Sequence, residues 1–169
     1  MVDDVLKTMT APRRRAFRWA AAWLAAALAA PVGQGLAGTS EQVVADPHNG
    51  LAISGYDPVG YFSDGGPSLG RADFEYDSGG AVWRFRNAGN RAAFAADPAV
   101  YTPQFGGYDP VGIVRGTPLA GDPRFWLVQG QRLYLFYSED NRQAFVREPE
   151  RFATDSRRAW PAVRKTLSP

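Results

Sequence analysis

The hexapeptide Gly55-Tyr56-Asp57-Pro58-Val59-Gly60 recurs letter for letter as Gly107-Tyr108-Asp109-Pro110-Val111-Gly112, 52 residues further along the chain. Beyond it the displacement becomes 51 and holds without a gap: Pro67 pairs with Pro118, Gly70 with Gly121, Phe74 with Phe125, Gly79 with Gly130 and Phe85 with Phe136. Asn90-Arg91 and Ala93-Phe94 then pair with Asn141-Arg142 and Ala144-Phe145, Pro98 with Pro149, and aromatic Tyr101 with aromatic Phe152. A constant register of this kind marks one supersecondary unit used twice. Whatever the first copy folds into, the second must fold into as well.

Each copy predicts a β-hairpin followed by a short helix. In the second, Phe125-Trp126-Leu127-Val128 and residues 132–137 flank a turn at Gln129-Gly130-Gln131; in the first, Phe74-Glu75-Tyr76 and residues 82–85 flank Asp77-Ser78-Gly79-Gly80. Asn87 and Ser138 stand where a helix begins, and their side-chain oxygens suit the exposed amides of a first turn. Pro98 and Pro149 predict the helix ends, because proline disfavours helical geometry in the residue before it. The fold class expected is α+β: two tandem pseudo-symmetric units, residues 55–101 and 107–152, inside a domain over 51–165. The matched aromatics read as its core.

The repeated hexapeptide reads as a tight turn, since Asp-Pro favours turn initiation and an Asp carboxylate accepts nearby backbone amides. The competing reading sets Asp57 and Asp109 face to face to share a divalent cation. Geometry decides between them: carboxylates that point at backbone amides have no place for a shared ion.

Residues 1–37 read as an export signal. Arg13-Arg14-Arg15 precede an apolar run over residues 19–30, long enough for a signal core and short of a membrane span. Gly35-Leu36-Ala37 supplies small residues before a cut after Ala37, and Arg14-Arg15-Ala16-Phe17 is similar to a twin-arginine signal, with general secretion the other route. The alternative is an uncleaved inner-membrane anchor facing the periplasm. Residues 38–50 would then link the signal to the domain. Once that segment is set aside, 14 basic and 15 acidic side chains remain, a net charge of −1. A near-neutral body of dispersed charge has no footprint for a phosphate backbone, so nucleic acid is not an expected partner. The chain has no cysteine, which excludes disulfides, thiolate zinc sites and cysteine nucleophiles.

The turn Asp57-Pro58-Val59-Gly60, the segment Phe136-Tyr137-Ser138-Glu139-Asp140-Asn141-Arg142-Gln143-Ala144-Phe145 and the helix ending at Glu148-Pro149-Glu150-Arg151-Phe152 resemble the YHS domain. The stretch from Leu51 to Phe62, with Gln104-Phe105-Gly106-Gly107-Tyr108 and Trp160-Pro161, is similar to exported bacterial proteins of that family. The resemblance covers nearly all of residues 51–165. It implies association with metal-handling proteins, and metal-associated relatives carry cysteines at the positions of Gly60, Gly112, Tyr137 and Asn141. Exported relatives commonly have a further cysteine where Asp109 stands. None is present here, so every soft-metal ligand that the resemblance implies is absent.

His48, the one histidine, lies in Asp46-Pro47-His48-Asn49-Gly50 and reads as an exposed loop residue. Its alternative role is to join Asp46 and Asp57 as a weak ligand. No Gly-rich phosphate loop and no nucleophile–base pattern is visible, so an enzyme is not expected. Tyr56, Tyr61, Tyr101, Tyr108 and Tyr137 offer a polar-aromatic surface or a half-buried core. The basic stretch Arg157 to Lys165 reads as a solvated helix face or a contact for an acidic partner or a membrane surface. The function expected is a non-catalytic, periplasmic binding or accessory module for an envelope protein. The alternative is a periplasmic metal-binding protein with Asp57, Asp109 and His48 as carboxylate and imidazole ligands and a divalent metal ion as its cofactor.

Overall fold

The structure, a computed structural model, describes residues 42–167. The expected signal segment, its cleavage site and the start of the linker lie outside the described residues. What is described is α+β, with two separate two-stranded antiparallel sheets among short helices.

Both hairpins form where the sequence predicts them and repeat at a spacing of 51. Strand β1 (Arg71–Ser78) pairs with β2 (Ala81–Phe85), and β3 (Asp122–Gln129) pairs with β4 (Arg132–Phe136). Their loops are two residues long with positive φ at both positions: Gly79 and Gly80 at 64° and 79°, Gly130 and Gln131 at 57° and 60°. Positive φ at both central residues matches the right-handed twist of the strands it joins. Each ladder also shifts register at the same place, between Arg71 and Glu75 in one and between Asp122 and Trp126 in the other. An ion pair spans each irregularity with its signs exchanged: Arg71 to Asp73 at 2.8 Å, and Arg124 to Asp122 at 2.5 Å.

Just before each irregularity stands a glycine, Gly70 or Gly121. A Cβ on Gly121 would lie 2.6 Å from both the Gly107 carbonyl and the Leu135 Cβ, and one on Gly70 would collide with the Arg84 backbone. The strand crosses its neighbour too closely for a side chain, which is why both copies carry glycine there.

Short helices α1 (Gly60–Ser63) and α4 (Pro110–Val114) continue the two Asp-Pro turns, whereas α2 (Ala88–Ala96) and α5 (Glu139–Arg147) follow the hairpins and again match at 51. Asn87 accepts from the Asn90 amide at 2.8 Å and Ser138 from the Asn141 amide at 3.3 Å, the predicted caps. Pro98 and Pro149 do end these helices, and each also opens the next, α3 (Pro98–Tyr101) and α6 (Pro149–Arg164). Proline at the first helical position forfeits no hydrogen bond and arrives with φ already set. The basic stretch toward Lys165 is thus the end of a 16-residue helix, and Trp160 and Val163 on it pack over Tyr108 and Ile113.

The two copies do not bury their strands alike. In β2, Ala81, Trp83 and Phe85 face the core while Val82 and Arg84 are half-exposed. In β4, Tyr134 and Phe136 face one cluster with Phe145 and Phe152, while Leu133 and Leu135 on the opposite face join Ile53, Trp83 and Phe94 of the first copy. Successive side chains of a strand point to opposite faces, so apolar residues at every position of 133–136 make β4 the wall between the cores. Leu133 and Leu135 replace the first copy's Val82 and Arg84. That difference turns two similar units into one body.

The described part of the expected linker, residues 42–50, is fastened to the domain. Val43 enters the first core, the Val44 amide donates to the Gly106 carbonyl at 2.8 Å, and the Ile53 amide donates to the Val44 carbonyl at 2.9 Å. Gly106 has φ of 65°, and a Cβ there would fall on the Gln42 carbonyl. Among the described residues no helix is long and apolar enough to cross a membrane.

Candidate functional site

Both Asp-Pro turns are built around a fully buried carboxylate. Asp57 Oδ1 accepts from the amides of Val59 (2.9 Å) and Gly60 (3.4 Å), and its Oδ2 from the Arg86 amide (2.8 Å) and Asn90 Nδ2 (2.7 Å). Asp109 repeats the arrangement with Val111 (2.7 Å), Gly112 (3.2 Å), the Tyr137 amide (2.8 Å) and Asn141 Nδ2 (2.6 Å). Two donors lie within the turn itself; the other two come from the end of the hairpin and the start of the helix about 30 residues on. Each carboxylate therefore ties three elements of its own copy together. A carboxylate offers about four acceptor sites, and four donors fill them.

The structure does not gather Asp57, Asp109 and His48 into a metal centre. A cation shared by the two aspartates finds no free lone pair, because both carboxylates point at amides of their own copies. His48 is 92% exposed in its side chain and turns its Nδ1 to Asp46 Oδ1 at 3.3 Å. The His48 and Asn49 groups hold Asp46 in a local turn, and the His48 amide donating at 2.8 Å draws its pKa below the usual value. Among the described residues no group of three or more His, Cys, Asp or Glu side chains is placed to hold a metal ion.

The positions where the resemblance implies cysteines have other tasks. A Cβ on Gly112 would stand 2.9 Å from the Thr117 carbonyl, and one on Gly60 would stand 2.8 Å from Ser68 Oγ. Asn141 is a buried donor to Asp109. Tyr137 is exposed.

Of the five tyrosines offered as a surface, Tyr61 and Tyr108 are buried, and Tyr56 and Tyr101 are half-buried. The Tyr61 hydroxyl donates to the Pro123 carbonyl at 2.9 Å, and burial pushes its pKa far up, so it stays a donor. Tyr137 alone of the five is largely exposed, at 57%. It borders an open cleft of about 490 Å³ where the first copy's turn meets the start of β3, lined also by Val44, Ser54, Tyr56, Asp122 and Arg124. The floor is strained. Ile53, Ser54 and Gly55 all have positive φ (43°, 56° and 76°), a conformation costing an isoleucine or serine about 1–2 kcal/mol. The second copy repeats the run at Phe105-Gly106-Gly107, where the segment from Gln42 covers it. In the first copy Ser54 is exposed. Arg124 holds Asp122 through Nε and Nη2 and draws its carboxyl below the usual range, so the cleft presents a fixed ion pair beside two phenols.

The sequence pointed to the aspartates and to Tyr137 but not to the cleft. Its lining comes from residues about 70 positions apart, and the one local signal was the mismatch between copies at matched positions. Compared with protein-family models, curated proteins and solved structures, the chain finds no match.

Proposed function

We propose that this chain is an exported, non-catalytic protein of two tandem YHS-type units, and that it serves in the periplasm as an accessory module docking on an envelope protein. The export reading rests on the arginine-led apolar segment within residues 1–37, and the family reading on the Asp-Pro turns and the segment from Phe136 to Phe152. The observation that carries the docking role is where the copies differ. Residues that build the unit are the same in both: the Asp-Pro turn, the asparagine that caps its carboxylate, the glycine at the strand crossing. Around the cleft they diverge, with Ser54, Asp122, Arg124 and Tyr137 standing where the other copy has Gly106, Arg71, Asp73 and Arg86. A duplicated scaffold leaves such positions free for recognition, and an exposed tyrosine beside a fixed arginine is a composition suited to a protein partner.

The test is photocrosslinking in intact cells from a reactive side chain placed at Tyr137, with Val146 (44% exposed) as the control position. One discrete adduct from position 137 and none from 146 is the expected result. Equal labelling from both positions, or none from either, would remove the docking role.

A further inference from the structure

On the second copy, away from the cleft, a depression of about 450 Å³ lies between the β3–β4 turn and helix α6, and Arg132, Tyr134, Glu150 and Arg157 line it. Neither Arg132 nor Arg157 has a carboxylate partner among the described residues; Arg157 reaches the Thr154 hydroxyl at 3.2 Å. The other acids nearby are already engaged, Glu148 by Arg151 and Asp155 by Arg151 and Arg158. Glu150 is the one acid in the depression, so the lining has two positive charges against one negative.

The Tyr134 hydroxyl lines the same depression within reach of both positive charges and is hydrogen-bonded by the Arg132 side chain. Its ring is held in the second core, 4.9 Å from Phe145 and 6.4 Å from Phe105 centroid to centroid, so the hydroxyl is fixed in place. Burial raises its pKa, which keeps the phenol a hydrogen-bond donor. The first copy is an internal control. At the positions of Arg132, Tyr134 and Glu150 it has Ala81, Trp83 and Ala99, which complete the same hairpin and helix start without one ionisable group. The fold does not need these polar side chains.

We propose that this depression binds the carboxylate of a small organic acid, clasped by Arg132 and Arg157 with Tyr134 donating a third hydrogen bond. Planar guanidinium donors suit a carboxylate, and charge-assisted bonds are the stronger kind. Glu150 sets the preference, since its charge opposes a phosphate, which concentrates its negative charge on one group, more than it opposes one carboxylate end of an organic acid.

The experiment is a titration of the ¹⁵N-labelled protein with succinate and, in parallel, with inorganic phosphate at matched ionic strength, following the arginine Nε–H signals and the Gly130 amide. Saturable shifts at Arg132, Arg157 and Gly130 with succinate, absent at Arg91, are expected. Arg157→Gln should weaken the response about tenfold, as expected for one lost hydrogen bond to a charged group, and Arg132→Gln likewise, with the rest of the spectrum unchanged. Shifts spread over all arginines, none at all, or a response that survives both substitutions would overturn the proposal. Tighter binding of phosphate than of succinate would overturn the carboxylate assignment.

Discussion

Asp57 and Asp109 show how a residue type readable from sequence acquires a role that is only half readable. That an Asp in an Asp-Pro turn accepts the amides two and three residues on is a local matter, and both do so. The second oxygen of each finds Arg86 and Asn90, or Tyr137 and Asn141, across 28 to 33 residues. The matched asparagines were visible in the repeat, but their partner depended on the fold. Because buried donors left unsatisfied cost about 1–3 kcal/mol each, Asp109→Ala should lower stability by about 3–5 kcal/mol, and Asp57→Ala by a similar amount. Urea denaturation at unchanged slope checks this. Glu139 gives a pH prediction. Bonds from Arg142 at 2.6 Å and Gln143 at 2.7 Å pull its pKa from 4.5 down to about 2. Folding stability from this group is present above about pH 4.5 and lost as pH falls toward 2. The difference between wild type and Glu139→Gln should therefore be full at pH 7 and vanish near pH 2.

At the scale of elements, the hairpins and capped helices were legible because their signals are short-range: a Gly-bearing turn between apolar runs, an Asn or Ser before a helix, a proline after it. Helix α6 was legible only in part. Its start at Pro149 read as an end, because proline stops one helix by the same fixed φ that opens another. The strand-crossing glycines carry a sharp prediction. Gly121→Ala puts a methyl group 2.6 Å from the Gly107 carbonyl and from Leu135, and should destabilise by about 1–3 kcal/mol, as overpacking does. Gly65, with nothing within 4 Å, has room for the same methyl; its positive φ leaves only the backbone penalty, about 1–2 kcal/mol. Thermal melts of the two variants side by side would separate collision from backbone strain.

Over the whole molecule, the repeat predicts two equivalent units, and the structure departs from equivalence at β4 and α6. Leu135 stands where the first copy has Arg84, and both are unremarkable in a strand read alone; only the second sheet's position between two cores explains the leucine. Leu135→Ala removes contacts from the first copy's core and should cost about 2–4 kcal/mol, although it lies in the second copy. A single cooperative unfolding transition for that variant, seen alike by tryptophan fluorescence and by circular dichroism, is the expected signature of one body. The paired buried aspartates hold the fold and leave no acceptor for a metal ion. The urea midpoint of the wild-type protein, measured with chelator and then with millimolar zinc, manganese or calcium, tests this. A ligand that binds the folded state raises that midpoint. The same midpoint is expected in every condition, whereas a cation-dependent rise that disappears in Asp57→Ala and Asp109→Ala would show that the aspartates bind a metal.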